Sequence, residues 1–262
     1  MSKEKEITLE GPLAVPQKRT AEYSLKDKDT GKEVGHMTQV VTKILNDGEE
    51  LCKIDVRTEM FGGDVMEESS LLTIGKAAHY VSCYLTTKNK HGKPLMETTI
   101  RHKALKPVMD SGVPSLSVCP VQTPCLSCAN TLNCTPPGSM GVLFEACPFG
   151  TVSKGNLKIR VTEEDYLLIE DVKFSKEKVH VPAGDFECYK MEMTPDATPM
   201  MNNAPMSIPG GVKSLAQEFM PSILRWYSEK PPHWLIKYEG FRCMGTPEKA
   251  IIAELVGIEE EN

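Results

Sequence analysis

Apolar and polar residues alternate along most of this chain, and the alternation has the period of a β-strand. In the run Glu50 to Met60, Cys52, Ile54 and Val56 fall on one side, while Lys53, Asp55 and Arg57 fall on the other. A pleated strand turns successive side chains to opposite faces, so this run predicts one buried face and one wet face. The same reading gives strands at 19–26, 33–45, 67–74, 78–87 and 95–103. Turn clusters separate them, at Asp27 to Gly31, Asn46-Asp47-Gly48, Gly62-Gly63-Asp64 and Asn89 to Gly92. Asn and Asp tolerate positive φ and Gly prefers it, which makes Asn46-Asp47-Gly48 a strong hairpin signal. Residues 15–106 are therefore expected to form an antiparallel meander of about six strands.

Residues 107–150 break the pattern with prolines, serines and cysteines, and read as a long irregular excursion. Loops of that length inside a domain are usually functional or cross-linked. Strands resume at 156–162, 165–181, 185–193, 223–228, 233–239 and 250–257, the second long enough to bend or split. Pro182-Ala183-Gly184 supplies a tight corner, Pro presetting φ and Gly adding freedom. Residues 194–211 are a Met-, Pro- and Asn-rich loop. Val212, Leu215, Ala216 and Phe219 follow at i, i+3, i+4 and i+7, which predicts a short helix ended by Pro221. The tail Glu259 to Asn262 reads as a solvated charge run. The expected architecture is a single all-β domain over 1–262 with minor α content. Residues 15–106 are its N-terminal meander, 107–150 a Cys-rich insertion, and 151–258 its C-terminal β-half.

Composition narrows the function more than the fold. The chain has 262 residues, 40% hydrophobic and 25% charged, enough for a real core. A net charge of −6 excludes nucleic-acid binding through a basic field. The 6% aromatic content also argues against stacking platforms for single strands. No apolar run reaches the length of a transmembrane segment. The charged start Met1-Ser-Lys-Glu-Lys-Glu-Ile has no apolar signal region, which reads as cytoplasmic. A periplasmic protein whose leader has been replaced by Met is the other reading.

The candidate chemistry lies in the cysteines. Cys119, Cys125, Cys128 and Cys134 form the pattern C-x5-C-x2-C-x5-C, and Cys147 follows. Four thiolates suit tetrahedral Zn²⁺, with Cys125 and Cys128 as one knuckle. The same residues suit an Fe–S cluster. Disulfides and free or redox-active thiols stay open beside the metal site, and the compartment decides among them. Cys52, Cys83, Cys188 and Cys243 read as small core residues. Met200, Met201, Met206 and Met220 give the 194–220 region a soft apolar character suited to a lid over a cavity. Trp226 and Trp234, the only tryptophans, flank Pro231-Pro232 and read either as core plugs or as a cavity wall.

One phrase carries a resemblance. Val179-His-Val-Pro-Ala-Gly-Asp-Phe-Glu-Cys-Tyr-Lys190 is followed by Leu224-Arg-Trp-Tyr-Ser-Glu-Lys-Pro-Pro-His-Trp-Leu-Ile-Lys237. Over residues 150–257 this resembles a poorly characterised bacterial β-domain family, usually exported and similar in fold to the lipoprotein carriers LolA and LolB. The resemblance implies a single large curved antiparallel sheet, a half-barrel around a hydrophobic cavity closed by short helices. It carries no catalytic residue. Two functions are expected from these readings. The first is a non-enzymatic carrier of a lipid, acyl chain or lipidated peptide, with Trp226, Trp234, Met200, Met201, Met206 and Phe219 around the ligand. The second is a metal-binding (Zn or Fe–S) or redox accessory protein using Cys119, Cys125, Cys128 and Cys134, with a protein partner such as a larger enzyme complex.

Overall fold

The computed structural model describes residues 6–8, 13–46, 48–75, 80–101, 138–160, 166–193, 222–241 and 250–261. Among the described residues there are thirteen strands: β1 (Glu6–Thr8), β2 (Lys18–Asp27), β3 (Glu33–Asn46), β4 (Glu49–Met60), β5 (Val65–Thr73), β6 (Tyr80–Lys88), β7 (Pro94–Arg101), β8 (Lys154–Arg160), β9 (Tyr166–Val181), β10 (Gly184–Met193), β11 (Ile223–Ser228), β12 (Leu235–Phe241) and β13 (Ala250–Glu261). They make one sheet in the order β1-β8-β9-β10-β11-β12-β13-β2-β3-β4-β5-β6-β7. Every pairing is antiparallel except β1 with β8, which is parallel. A short helix, α1 (Ser139–Leu143), runs into a 3₁₀ turn at Phe144–Ala146.

The expected alternation holds. Cys52, Ile54 and Val56 are buried, while Lys53 and Asp55 are half-buried and Arg57 is exposed. Register carries the buried face across the meander, with Arg19 opposite Val41, Val41 opposite Ile54, Ile54 opposite Ser70, and Ser70 opposite Cys83. Across β13 to β11 the same face continues through Leu25, Ala253, Tyr238 and Arg225. We call this the concave face, because only curvature explains what touches it. Strands β5 and β11 stand six places apart in the sheet order, roughly 29 Å if the sheet were flat. Yet Glu68 of β5 meets Ser139 and Arg225 of β11 meets Phe144, positions separated by only about 8 Å of helix. The sheet therefore curls around α1. Its β9–β10 corner also curls back, and the Ala183 N–H donates to the Leu255 carbonyl of β13 (3.0 Å), beside a bulge at Leu255/Gly257.

Three elements differ from the reading of the sequence. Strand β9 is continuous over 16 residues, and its bend is local, at Asp171 with φ 57°. Glu259–Glu261 are not a loose tail but extend β13 against Thr20, Arg19 and Lys18, with a Lys18–Glu261 ion pair at 2.9 Å. Part of the irregular excursion is helical, because burial substitutes for local propensity. All five residues of α1 are buried although no side chain caps it. The expected helix at 212–220 and the Met-rich loop lie outside the described residues, as does Cys243.

Candidate functional site

The concave face is occupied by the segment 138–147, which we call the plug. Met140, Val142, Leu143, Phe144 and Cys147 are all buried in the main hydrophobic cluster, against sheet residues such as Tyr23, Met37, Ile54, Tyr227 and Tyr238. Gly138 opens it, directly after Pro136-Pro137 in the sequence. Five helical residues are too few to stand alone, so tertiary contacts hold this turn in place.

Polar groups fasten the plug at three points. The Ser139 N–H donates to Glu68 Oε1 at 3.0 Å. The Ser70 hydroxyl lies 3.0 Å from the same oxygen and 3.2 Å from Ser139 Oγ. The Tyr227 hydroxyl donates to the Gly141 carbonyl at 3.2 Å. The third point is a two-bond fork, with Arg19 Nη1 on Glu145 Oε2 at 2.9 Å and Nη2 on Oε1 at 2.7 Å. Side-chain exposures of 2% and 6% make this a buried ion pair. Burial alone would draw the Arg19 pKa down, but Glu145 outweighs it and holds the guanidinium charged. Burial pushes the Glu145 carboxyl up against the pull of Arg19. The fork geometry is that of a carboxylate facing a guanidinium. Tyr23 beneath the pair is pushed up as well, chiefly by burial.

Arg225 is placed differently. It is 1% exposed, and its guanidinium lies 5.2 Å from the Phe144 ring and 4.9 Å from the Tyr238 ring. Burial pushes the nearby Tyr227 hydroxyl up, and the Arg225 charge draws it back. Among the described residues, the Arg225 Nε and Nη1 have no hydrogen-bond partner. Glu68 Oε2, at the other end of the plug, also lacks one.

Where the plug leaves the face, Phe149 sits in an aromatic group. Its ring stacks on Tyr189 (5.2 Å, 7°) and meets Tyr227, His233 and Phe174 at 5.0 to 5.9 Å. Gly150, at φ 78°, follows, and a Cβ there would stand 2.9 Å from the Tyr189 hydroxyl. An open groove of about 340 Å³ runs beside it, lined by Thr151, Val152, Phe174, Lys176 and Tyr189. A second open groove, about 550 Å³, lies at the sheet end among Leu13, Val15, Lys43, Glu50 and Ile74.

The residues proposed from sequence are dispersed. Trp226 is buried on the face opposite Arg225 and Tyr227, with the ammonium groups of Lys190 and Lys237 each 5.3 Å from its ring. Trp234 is half-buried, packs against the main cluster, and its backbone N–H donates to Ser228 Oγ at 2.9 Å. Neither lines the two grooves above. Met200, Met201, Met206 and Phe219 lie outside the described residues, and so do Cys119, Cys125, Cys128 and Cys134. Among the described residues, no three His, Cys, Asp or Glu side chains gather as a metal site. Cys52, Cys83, Cys147 and Cys188 are free and buried. Burial pushes the Cys52 and Cys188 thiols up to about 12, and Cys83 and Cys147 upward as well. Sequence reading missed Arg19, Glu68, Glu145 and Arg225. Charged residues at inward positions of Arg19-Thr20-Ala21-Glu22-Tyr23 and Ile223-Leu224-Arg225 were the available signal.

Among the described residues, no helix is long and apolar enough to cross a membrane. No family model matches the chain, and no curated protein matches it. Among solved structures, a candidate lipoprotein from Parabacteroides distasonis superposes with a TM-score of 0.37 at 12% identity, covering 98% of this chain and all of that one. A candidate exported protein with a YmcC-like fold from Bacteroides fragilis superposes with a TM-score of 0.34 at 9% identity, covering 92% of this chain and 95% of that one.

Proposed function

We propose that this chain is a non-enzymatic binding or carrier protein for an apolar ligand, a lipid or acyl chain, held on the concave face of the curled sheet. The observation that carries this reading is the nature of the cover. Among the described residues, the apolar concave face is closed by one segment of about ten residues, held by a few polar contacts. No second sheet packs there among the described strands, all of which belong to one sheet. An apolar face covered by a short detachable segment suits exchange of cover for ligand. The driving term is apolar area removed from water, roughly 25 cal/mol per Å².

The test is uptake. Delipidated protein takes up a fluorescent fatty acid saturably, or the untreated protein carries lipid adducts in native mass spectra. Clean spectra together with no uptake remove the reading.

A further inference from the structure

A buried guanidinium with no anionic partner among the described residues is the least expected group in this interior. Charged side chains are almost never fully buried unless paired, and a buried cation is normally matched by a carboxylate, as Arg19 is by Glu145. Arg225 is as deeply buried, yet two of its three nitrogens are unbonded and aromatic rings stand where a counter-charge would be. Its cross-strand partners, Met191 and Tyr238, bring no negative charge. A desolvated guanidinium with free N–H groups is a receptor for an oxyanion.

The two rings differ in what carries them. Tyr238 belongs to the sheet, whereas Phe144 belongs to the plug. Withdrawal of Phe144 uncovers Arg225 without breaking any strand pairing. The plug also shows what the face accepts, because its Leu143-Phe144-Glu145 run presents apolar groups followed by a carboxylate to Arg19. A chain of methylenes ending in a carboxylate has the same chemistry. One guanidinium and the Tyr227 hydroxyl match one singly charged group. A phosphate, with more charge and three acceptor oxygens, calls for more donors.

We propose that Arg225 anchors the carboxylate of a single-chain fatty acid, whose alkyl chain takes the place of Leu143 and Phe144 on the concave face. This rests on the carrier reading above and names the ligand class for it. Tyr227 contributes a second polar contact, released when Gly141 moves away with the plug.

The experiment titrates delipidated full-length protein with oleate and, separately, with oleyl alcohol, an uncharged chain of the same length. Oleate is expected to bind at least tenfold more tightly. Arg225→Met is expected to bind the two alike, and Arg225→Lys to restore part of the preference. Phe144→Ala is expected to raise oleate affinity by uncovering the guanidinium. Inorganic phosphate at millimolar concentration should leave oleate binding unchanged.

Equal binding of oleate and oleyl alcohol by the parent protein overturns the anchor and leaves the carrier reading standing. Binding of neither overturns both. A preference that survives in Arg225→Met places the anchor elsewhere. Displacement of oleate by phosphate makes this a site for free anions and removes the acyl part of the proposal. If Arg225→Met does not fold, Arg225→Lys decides: a reduced acid-to-alcohol ratio supports the anchor, and an unchanged ratio places it elsewhere.

Discussion

The two faces of this sheet use charge in opposite ways. On the outer face, ionic groups are numerous and wet. Arg57 meets Glu59 and Glu67 at 2.5 and 2.6 Å, and Lys88 meets Glu67 at 2.7 Å, all partly open to solvent. Such pairs are typically worth about 1 kcal/mol or less each, because water screens them and long side chains lose freedom. On the concave face there are few charges, each fixed by specific neighbours. Arg19 is paired with Glu145 through both terminal nitrogens, although its Nε has no partner among the described residues, and Arg225 faces two rings with no carboxylate beside it among those residues. The lesson is that a count of ion pairs says little here. The interior pair and the interior orphan dominate.

Removing one member of the interior pair should have the largest effect. Arg19→Met strands the Glu145 carboxylate and is expected to cost about 3–5 kcal/mol, read as a lowered urea midpoint. A loss below about 1 kcal/mol would mean that the plug is not held by this fork. Arg225→Met should behave unlike it. Desolvating an unpaired ion costs several kcal/mol, and two ring contacts return about 2 kcal/mol each. The terms nearly cancel, so stability should stay within about 1.5 kcal/mol of the parent. A loss as large as that of Arg19→Met would make the two arginines equivalent and dissolve the contrast.

The outer face should respond least. Glu67→Gln is expected to cost no more than about 1 kcal/mol, and the cost should shrink further in high salt. Its pH dependence has a definite sign. Lys88, with Arg57 behind it, holds the Glu67 carboxyl below its ordinary 4.5. A depressed carboxyl adds stability above its unfolded value and loses it as pH falls through the folded one. The difference between parent and Glu67→Gln should therefore be full at pH 6, begin to shrink near 4.5 and be gone once the pH is below the depressed folded value. A difference that persists at pH 2 would assign the effect to packing instead of charge.

Strands were legible in the sequence where alternation was undisturbed. Glu50 to Met60 and Ile223 to Ser228 emerge with their predicted faces or bounds almost unchanged. The plug was not legible, because Ser139 to Leu143 spans less than two turns and cannot display a helical period. Its polar fastening comes from Tyr227, Glu68 and Arg19, which are 71 to 126 residues away in sequence. β1 was hidden for a similar reason. Three residues in a charged stretch pair in parallel with β8, and no local pattern announces a distant edge. The buried arginines drew no attention in the sequence, since a β-strand sequence gives no sign of which inward charge finds a partner. Trp226 drew attention by rarity, yet its place is on the opposite face from the plug, between two lysines.

The position of β13 has a consequence for how such a molecule is made. β13 lies between β12 and β2, so it is the seam that joins the two halves of the ladder. Of the thirteen strands it is also the last to leave the ribosome. Until then β2 and β12 are both unpaired along one side, and two partial sheets wait with open edges, the condition under which nascent chains stick to one another. Closure of the sheet therefore waits for β13, and until it pairs, both edges stay open to other chains.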